Sequence, residues 1–346
     1  MSQPHEEAPS PREASPRDPR RSVWRDARAA LSLVFSSSLG FFILTALAFL
    51  AADLFLLGPN LQHLAFLGSR QPGVWHIFLS IQPALWVAYC FILWGEFKNR
   101  PVWPGTRRER MAVLFCTSVA LVILSLPIVA QVLSWRGSPA MKVLSTPPIA
   151  AFNARVHILT LFGMAVLALH ALGVFCVHVQ LLRLSPASPS QEREPEAGDL
   201  DDAVPRYLRL RAQLRLLLGL AALNIGTSML SIGISRNLLN EAFPSRPELF
   251  PAAPVVGFGI YYTGLIASVY VPIRKTLRNV GEALAERLVR QSLGPHAPWK
   301  AWSEELQAAR AYLGMQESAF QELQQGLAVL APLLGGLSSL LLSPGG

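Results

Sequence analysis

Six long stretches almost without charge constrain this chain more than any other feature of it. A bilayer's hydrocarbon core is crossed by roughly 17–25 apolar residues in a helix. Runs of about that length recur at 31–57, 74–93, 111–132, 158–182, 216–234 and 255–273. In lipid every backbone N–H and C=O must be satisfied within the segment, so such runs fold as helices. The expected fold class is all-α, a polytopic membrane protein with six transmembrane helices and a C-terminal cytoplasmic helical module. Composition agrees, since only 15% of the residues are charged against about 25% in soluble domains.

The basic residues orient the spans. With the N-terminus in the cytoplasm, the inner segments hold 24 Lys and Arg and the outer loops hold 6. A bias of this size in short loops sets topology, which implies an inner (cytoplasmic) membrane with both termini cytoplasmic. The net charge of +8 is then spent on topology and on anionic lipid, and nucleic acid is not an expected partner. Cys90, Cys116 and Cys176 lie inside apolar runs without a CxxC spacing. They read as buried thiols that pack as small hydrophobes, not as a metal knuckle or disulfide framework.

Residues 1–22, rich in Pro, Ser, Glu and Arg, have the composition of a disordered cytoplasmic tail. The first run starts too far along for a signal-peptide core, so it reads as an uncleaved helix. Residues 23–184 form a four-span bundle, and the acidic stretch 185–205 is a flexible linker. Residues 206–273 form a two-span unit whose helix opens at Pro205, and 274–346 form the cytoplasmic module. Pro83 and Pro127 interrupt two spans, where a neighbouring helix or water must satisfy the freed carbonyl.

Patterning is strongest in the last part of the chain. Ile273, Leu277, Val280, Leu284 and Leu288 recur at steps of four, three, four and four, the apolar stripe of an amphipathic helix. Ser303, followed by Glu304 and Glu305, reads as the N-cap of a final helix running toward Leu342. Along it Phe320, Leu323, Leu327 and Leu330 begin a 3-4 spacing that Leu334, Leu337 and Leu341 continue, the seam of a coiled coil. The apolar stretch 327–342 is short for a span and suits a buried or re-entrant segment. An excess of basic residues over 274–293 faces an excess of acidic ones over 303–346, so the two helices have complementary charge for antiparallel packing.

Few side chains in the spans carry chemistry. Asn224, Gln82, Asp53 and His170 are the polar intramembrane candidates, and such residues are functional candidates by default. Spread over different helices and mostly neutral, they read first as interhelical hydrogen bonds. His157 and His170, thirteen apart, are read as sharing one side of a helix at a separation suited to two stacked b-type haems. No HExxH, GxSxG or Walker loop occurs, so catalytic residues are not assigned and no metal site is expected.

The expected function is therefore that of a non-catalytic integral membrane protein in assembly, sensing or regulation. It would act through residues 274–346, on a second copy of the chain or on another protein, within the lipid bilayer. The alternatives are a small-solute transporter or channel, with Asn224, Gln82, Asp53 and His170 converging on one cavity, and a haem b electron carrier using His157 and His170.

Overall fold

The computed structural model describes residues 38–61, 70–99, 103–184, 198–242, 250–294, 298–316 and 329–338. Among the described residues the structure is helical with no strand. In chain order the helices are α1 (Ser38–Leu61), α2 (Arg70–Asn99), α3 (Arg107–Trp135), α4 (Pro139–Leu144), α5 (Pro147–Leu184), α6 (Gly198–Ala242), α7 (Ala253–Leu293) and α8 (Trp299–Tyr312). A short apolar helix, α9, covers Val329–Ser338. Four segments are long and apolar enough to cross a membrane: Arg107–Leu133, Asn153–Leu184, Leu200–Asn237 and Ala253–Leu293. In α1 the apolar helix Gly40–Leu56 is shorter.

Helix α5 is the centre of the packing, touching α1, α2, α3, α6 and α7. Its Val174, Val177 and Leu181 are buried in one core with Leu93 of α2, Tyr207 and Leu214 of α6, and Ile273 and Val280 of α7. Helices on both sides of residues 185–197 thus contribute to a single apolar cluster. Helix α3 opens on a capping box formed by Thr106 and Glu109, which satisfies two of the orphan N–H groups at a helix start. Glu109 also accepts from Nε of Arg183 at 2.7 Å, tying the start of α3 to the end of the antiparallel α5. Cys116 is exposed on α3, contrary to expectation, while Cys176 is buried and Cys90 half-buried. Helix α3 lies at the edge of the bundle, so much of it faces outward.

Helix α3 runs through Pro127. Proline has no N–H, so it leaves the carbonyl four residues earlier, that of Ile123, without its helical donor. The Tyr261 hydroxyl of α7 donates to that carbonyl at 2.7 Å, and Tyr262 donates to the carbonyl of Leu124 at 3.0 Å. A neighbouring helix therefore meets the need that Pro127 creates.

Three boundaries differ from the sequence expectation. Helix α6 opens at Gly198, not at Pro205, which lies inside it. Asp201 and Asp202 sit in its first turns, where carboxylates complement the helix dipole, and Val204 is buried in the core. Helix α8 begins at Trp299 with Pro298 at the cap, so Ser303 lies within the helix. That helix ends at Tyr312, and Gly314 follows with φ of +69°, a backbone that only glycine adopts at little cost. No single helix runs from 303 to 342.

Helix α9 lies within the apolar stretch 327–342, which suits a buried or re-entrant segment, and it docks against the apolar parts of α6 and α7. A Cβ built on Gly226 would stand 3.2 Å from the carbonyl oxygen of Ala331. One on Gly259 would stand 3.1 Å from Cα of Leu333, and one on Gly335 would collide with the carbonyl oxygen of Gly226. Small residues permit this backbone approach, as in membrane helix pairs generally. Leu330, Leu334 and Leu337, members of the proposed seam, are each more than two-fifths exposed. The packed face is the glycine side, and the leucines point outward.

Candidate functional site

The polar candidates are gathered along one helix. On α2, Gln82 Nε2 donates to the carbonyl of Thr227 at 3.1 Å and to Ser231 Oγ at 2.9 Å, both on α6. One turn further, Trp86 Nε1 donates to Asn224 Oδ1 at 2.9 Å. Ser80 donates to Asp53 Oδ1 of α1 at 3.3 Å. His170 of α5 packs its ring edge-to-face with Tyr89 at 5.7 Å. Ser80, Gln82, Trp86 and Tyr89 thus connect α2 to α1, α6 and α5 in turn.

Gln82 and Asn224 belong to one seam between α2 and α6, both nearly fully buried. Asp53 and His170 reach α2 from other helices. Gln82, Asn224 and Asp53 make hydrogen bonds between helices, and a buried amide with its partners satisfied is a structural bond. Thr227 and Ser228 bond back to carbonyls of their own helix, at Leu223 and Asn224. Trp86 and Tyr89 were missed by sequence reading, because an aromatic within an apolar run has no pattern to mark it.

The two histidines do not share a face. His170 is buried, with Nδ1 against the carbonyl of Val166 at 2.8 Å. His157 is exposed, with Nδ1 against the carbonyl of Asn153 at 2.7 Å. Thirteen steps of about 100° leave roughly 140° between them, so the expectation of a shared side fails on helix geometry. Among the described residues no group of three or more His, Cys, Asp and Glu is arranged to hold a metal ion.

The third feature is a polar stalk. Helices α6 and α7 hold 45 and 41 residues, about 67 and 61 Å at about 1.5 Å per residue. That is roughly twice the hydrocarbon thickness of a bilayer, so both extend well past their apolar parts. In the extension Val280 and Leu284 are buried, and Leu277 and Leu288 pack beside them against Tyr207 of α6 and Leu306, Ala309 and Leu313 from α8 and its end. The apolar stripe of α7 is therefore filled from within the chain. Arg211 of α6 donates to the carbonyls of Leu313, at 2.9 Å, and Gly314, and Tyr207 donates to the carbonyl of Leu277 at 3.3 Å. Arg310 of α8 pairs with Glu282 of α7 at 2.7 Å, with the polarity reversed from the expectation, since the cation stands on the acidic segment and the carboxylate on the basic one. Phe320, Leu323 and Leu327 lie outside the described residues.

Two aromatic side chains of α8 are left exposed. Trp299 is 81% and Tyr312 66% exposed, and Arg274, Lys275, Arg278 and Arg290 stand exposed on α7. No protein-family model, no curated protein and no solved structure matches this chain.

Proposed function

We propose that this chain is a six-span protein of a cytoplasmic membrane, without catalysis of its own, that serves assembly, sensing or regulation through its stalk. The two further spans of this reading are the apolar parts of α1 and α2, and the excess of basic residues in alternate loops supports the orientation. One observation carries the functional reading. Two helices that continue from the apolar zone into the stalk are fastened there by α8, whose first and last residues, Trp299 and Tyr312, are exposed. Exposed aromatics are what a protein-binding surface uses as anchors. The stripe Leu277, Val280, Leu284 and Leu288 supports this role from inside, by holding the stalk together. Gln82, Asn224 and Asp53 are engaged in helix-to-helix bonds, which favours this reading over transport.

The test is the mass of the native complex in mild detergent, for the full chain and for one carrying Trp299→Ser and Tyr312→Ser. Both side chains are exposed, so the substitutions leave the fold in place. An oligomer or a bound protein partner that is lost in the double variant is the expected result. Equal masses for the two chains would refute the proposal.

A further inference from the structure

We propose that the groove between α1, α2 and α5 seats one acyl chain of an anionic phospholipid from the surrounding bilayer, with Arg155 binding its phosphate. The groove has a volume of about 750 Å³, within the range of roughly 300–1,000 Å³ typical of ligand sites. Its first wall is made by small residues of α1, Ala48, Ala51 and Ala52. They recur at helical spacing on one face, and their missing bulk creates the concavity. Pro83, Trp86, Cys90 and Trp94 of α2 line the second wall, and Ile158 to Val166 of α5 the third. From Pro83 to Trp94 the groove follows eleven steps of helix, about 17 Å.

The groove opens outward from the bundle. Phe162 and Trp94, at its rim, are 63% and 72% exposed, whereas Trp86 at its floor is 6% exposed. Trp86 is held there from behind by Asn224 and from the side by Gly163, where a Cβ would stand 2.8 Å from the indole ring. The floor is thus a fixed aromatic surface, and an apolar recess open to lipid is filled by lipid.

Charge selects the kind of lipid. Arg155 lies one turn of α5 before Ile158, and its guanidinium stands 5.9 Å from the ring centroid of Phe55, which lines the groove. Its Nη1 donates to the carbonyl of Leu56 at 3.3 Å, which leaves further N–H groups of the planar fork to face a phosphate. Arg155 sits near the start of the apolar part of α5, which begins at Asn153. That is the level at which a long cationic side chain reaches headgroups. An apolar recess that ends at one cation is complementary to an acyl chain joined to a phosphate.

The experiment measures lipid retained by the purified full-length chain after reconstitution in phosphatidylglycerol or phosphatidylcholine vesicles and extraction into mild detergent, by native mass spectrometry. Three variants are compared with the natural chain: Ala51→Trp and Ala48→Phe, which fill the groove from its open side, and Arg155→Gln. The expected result is one retained phosphatidylglycerol per chain and loss of that lipid in both filling variants. Arg155→Gln should cut the preference for phosphatidylglycerol over phosphatidylcholine about fivefold, the factor one interfacial cation contributes. Melting temperatures serve as the control for folding, and Arg155→Gln, outside the packed floor, keeps the charge part testable if a filling variant unfolds. Retention unchanged in the filling variants, or a preference independent of Arg155, would overturn the proposal. So would lipid that binds only after residues 1–22 are deleted, since the groove would then belong to the chain's own N-terminal segment.

Discussion

The hydroxyl of Tyr261 on α7 donates at 2.7 Å to the carbonyl of Ile123 on α3, the group that Pro127 deprives of its helical partner. The bond therefore joins two helices and repairs a defect in one of them. Its worth depends on the proline, which makes it testable by a double-mutant cycle.

Tyr261→Phe is expected to lower stability in detergent by about 1 kcal/mol, the usual scale for an interhelical hydrogen bond. In a Pro127→Ala background, where the helix can supply its own donor to Ile123, the same substitution should cost clearly less. Thermal unfolding of the four chains checks this. An equal cost in both backgrounds would mean that Tyr261 acts by packing and not through the Ile123 carbonyl.

Asn224→Ala removes the acceptor of the Trp86 indole and leaves a buried N–H unpaired. A loss of about 1–2 kcal/mol is expected, with a shift in tryptophan fluorescence as the ring loosens. If Asn224 instead lined a solute path, its replacement would change flux in proteoliposomes while stability stayed the same. That outcome would favour a transporter.

The docking of α9 beside Gly226 and Gly259 makes a prediction about water access. In a background without Cys90, Cys116 and Cys176, a cysteine at Ser303 on the exposed side of α8 should react readily with a water-soluble maleimide in opened vesicles. A cysteine at Leu334, on the outward face of α9, should resist that reagent and react with a lipid-soluble one. Equal labelling of the two positions by the water-soluble reagent would place α9 in the aqueous module instead.

The existence of helices at the apolar runs was legible because lipid leaves the backbone no alternative to the helix. Each of the six apolar runs meets an observed helix, though 31–37 lies outside the described residues. The need at Pro127 was legible too, since a missing N–H is a property of the residue itself. That Tyr261 would answer it was not, because the partner lies 134 positions onward in another helix. The Asn224 and Gln82 amides were recognised as packing bonds by type, but nothing in the sequence pairs Asn224 with Trp86 or Gln82 with Ser231.

Local periodicity failed where several neighbours competed for one face. Leu277, Val280, Leu284 and Leu288 form a true amphipathic stripe, and the sequence alone determined that it would be covered. Only tertiary structure decided that α6 and α8 of the same chain cover it. At α9 the reversal is complete. Leu330, Leu334 and Leu337 have coiled-coil spacing, yet the contact is made through Ala331, Leu333, Gly335 and Gly336. In water the largest apolar side chains seek the core, whereas beside a membrane helix lipid accepts leucine as well as protein does, and close approach of backbones decides the packing. Apolar length, basic residues and proline chemistry thus set the class of this protein from the sequence. Which faces meet was left to geometry, because a bilayer removes the hydrophobic preference that would otherwise have announced them.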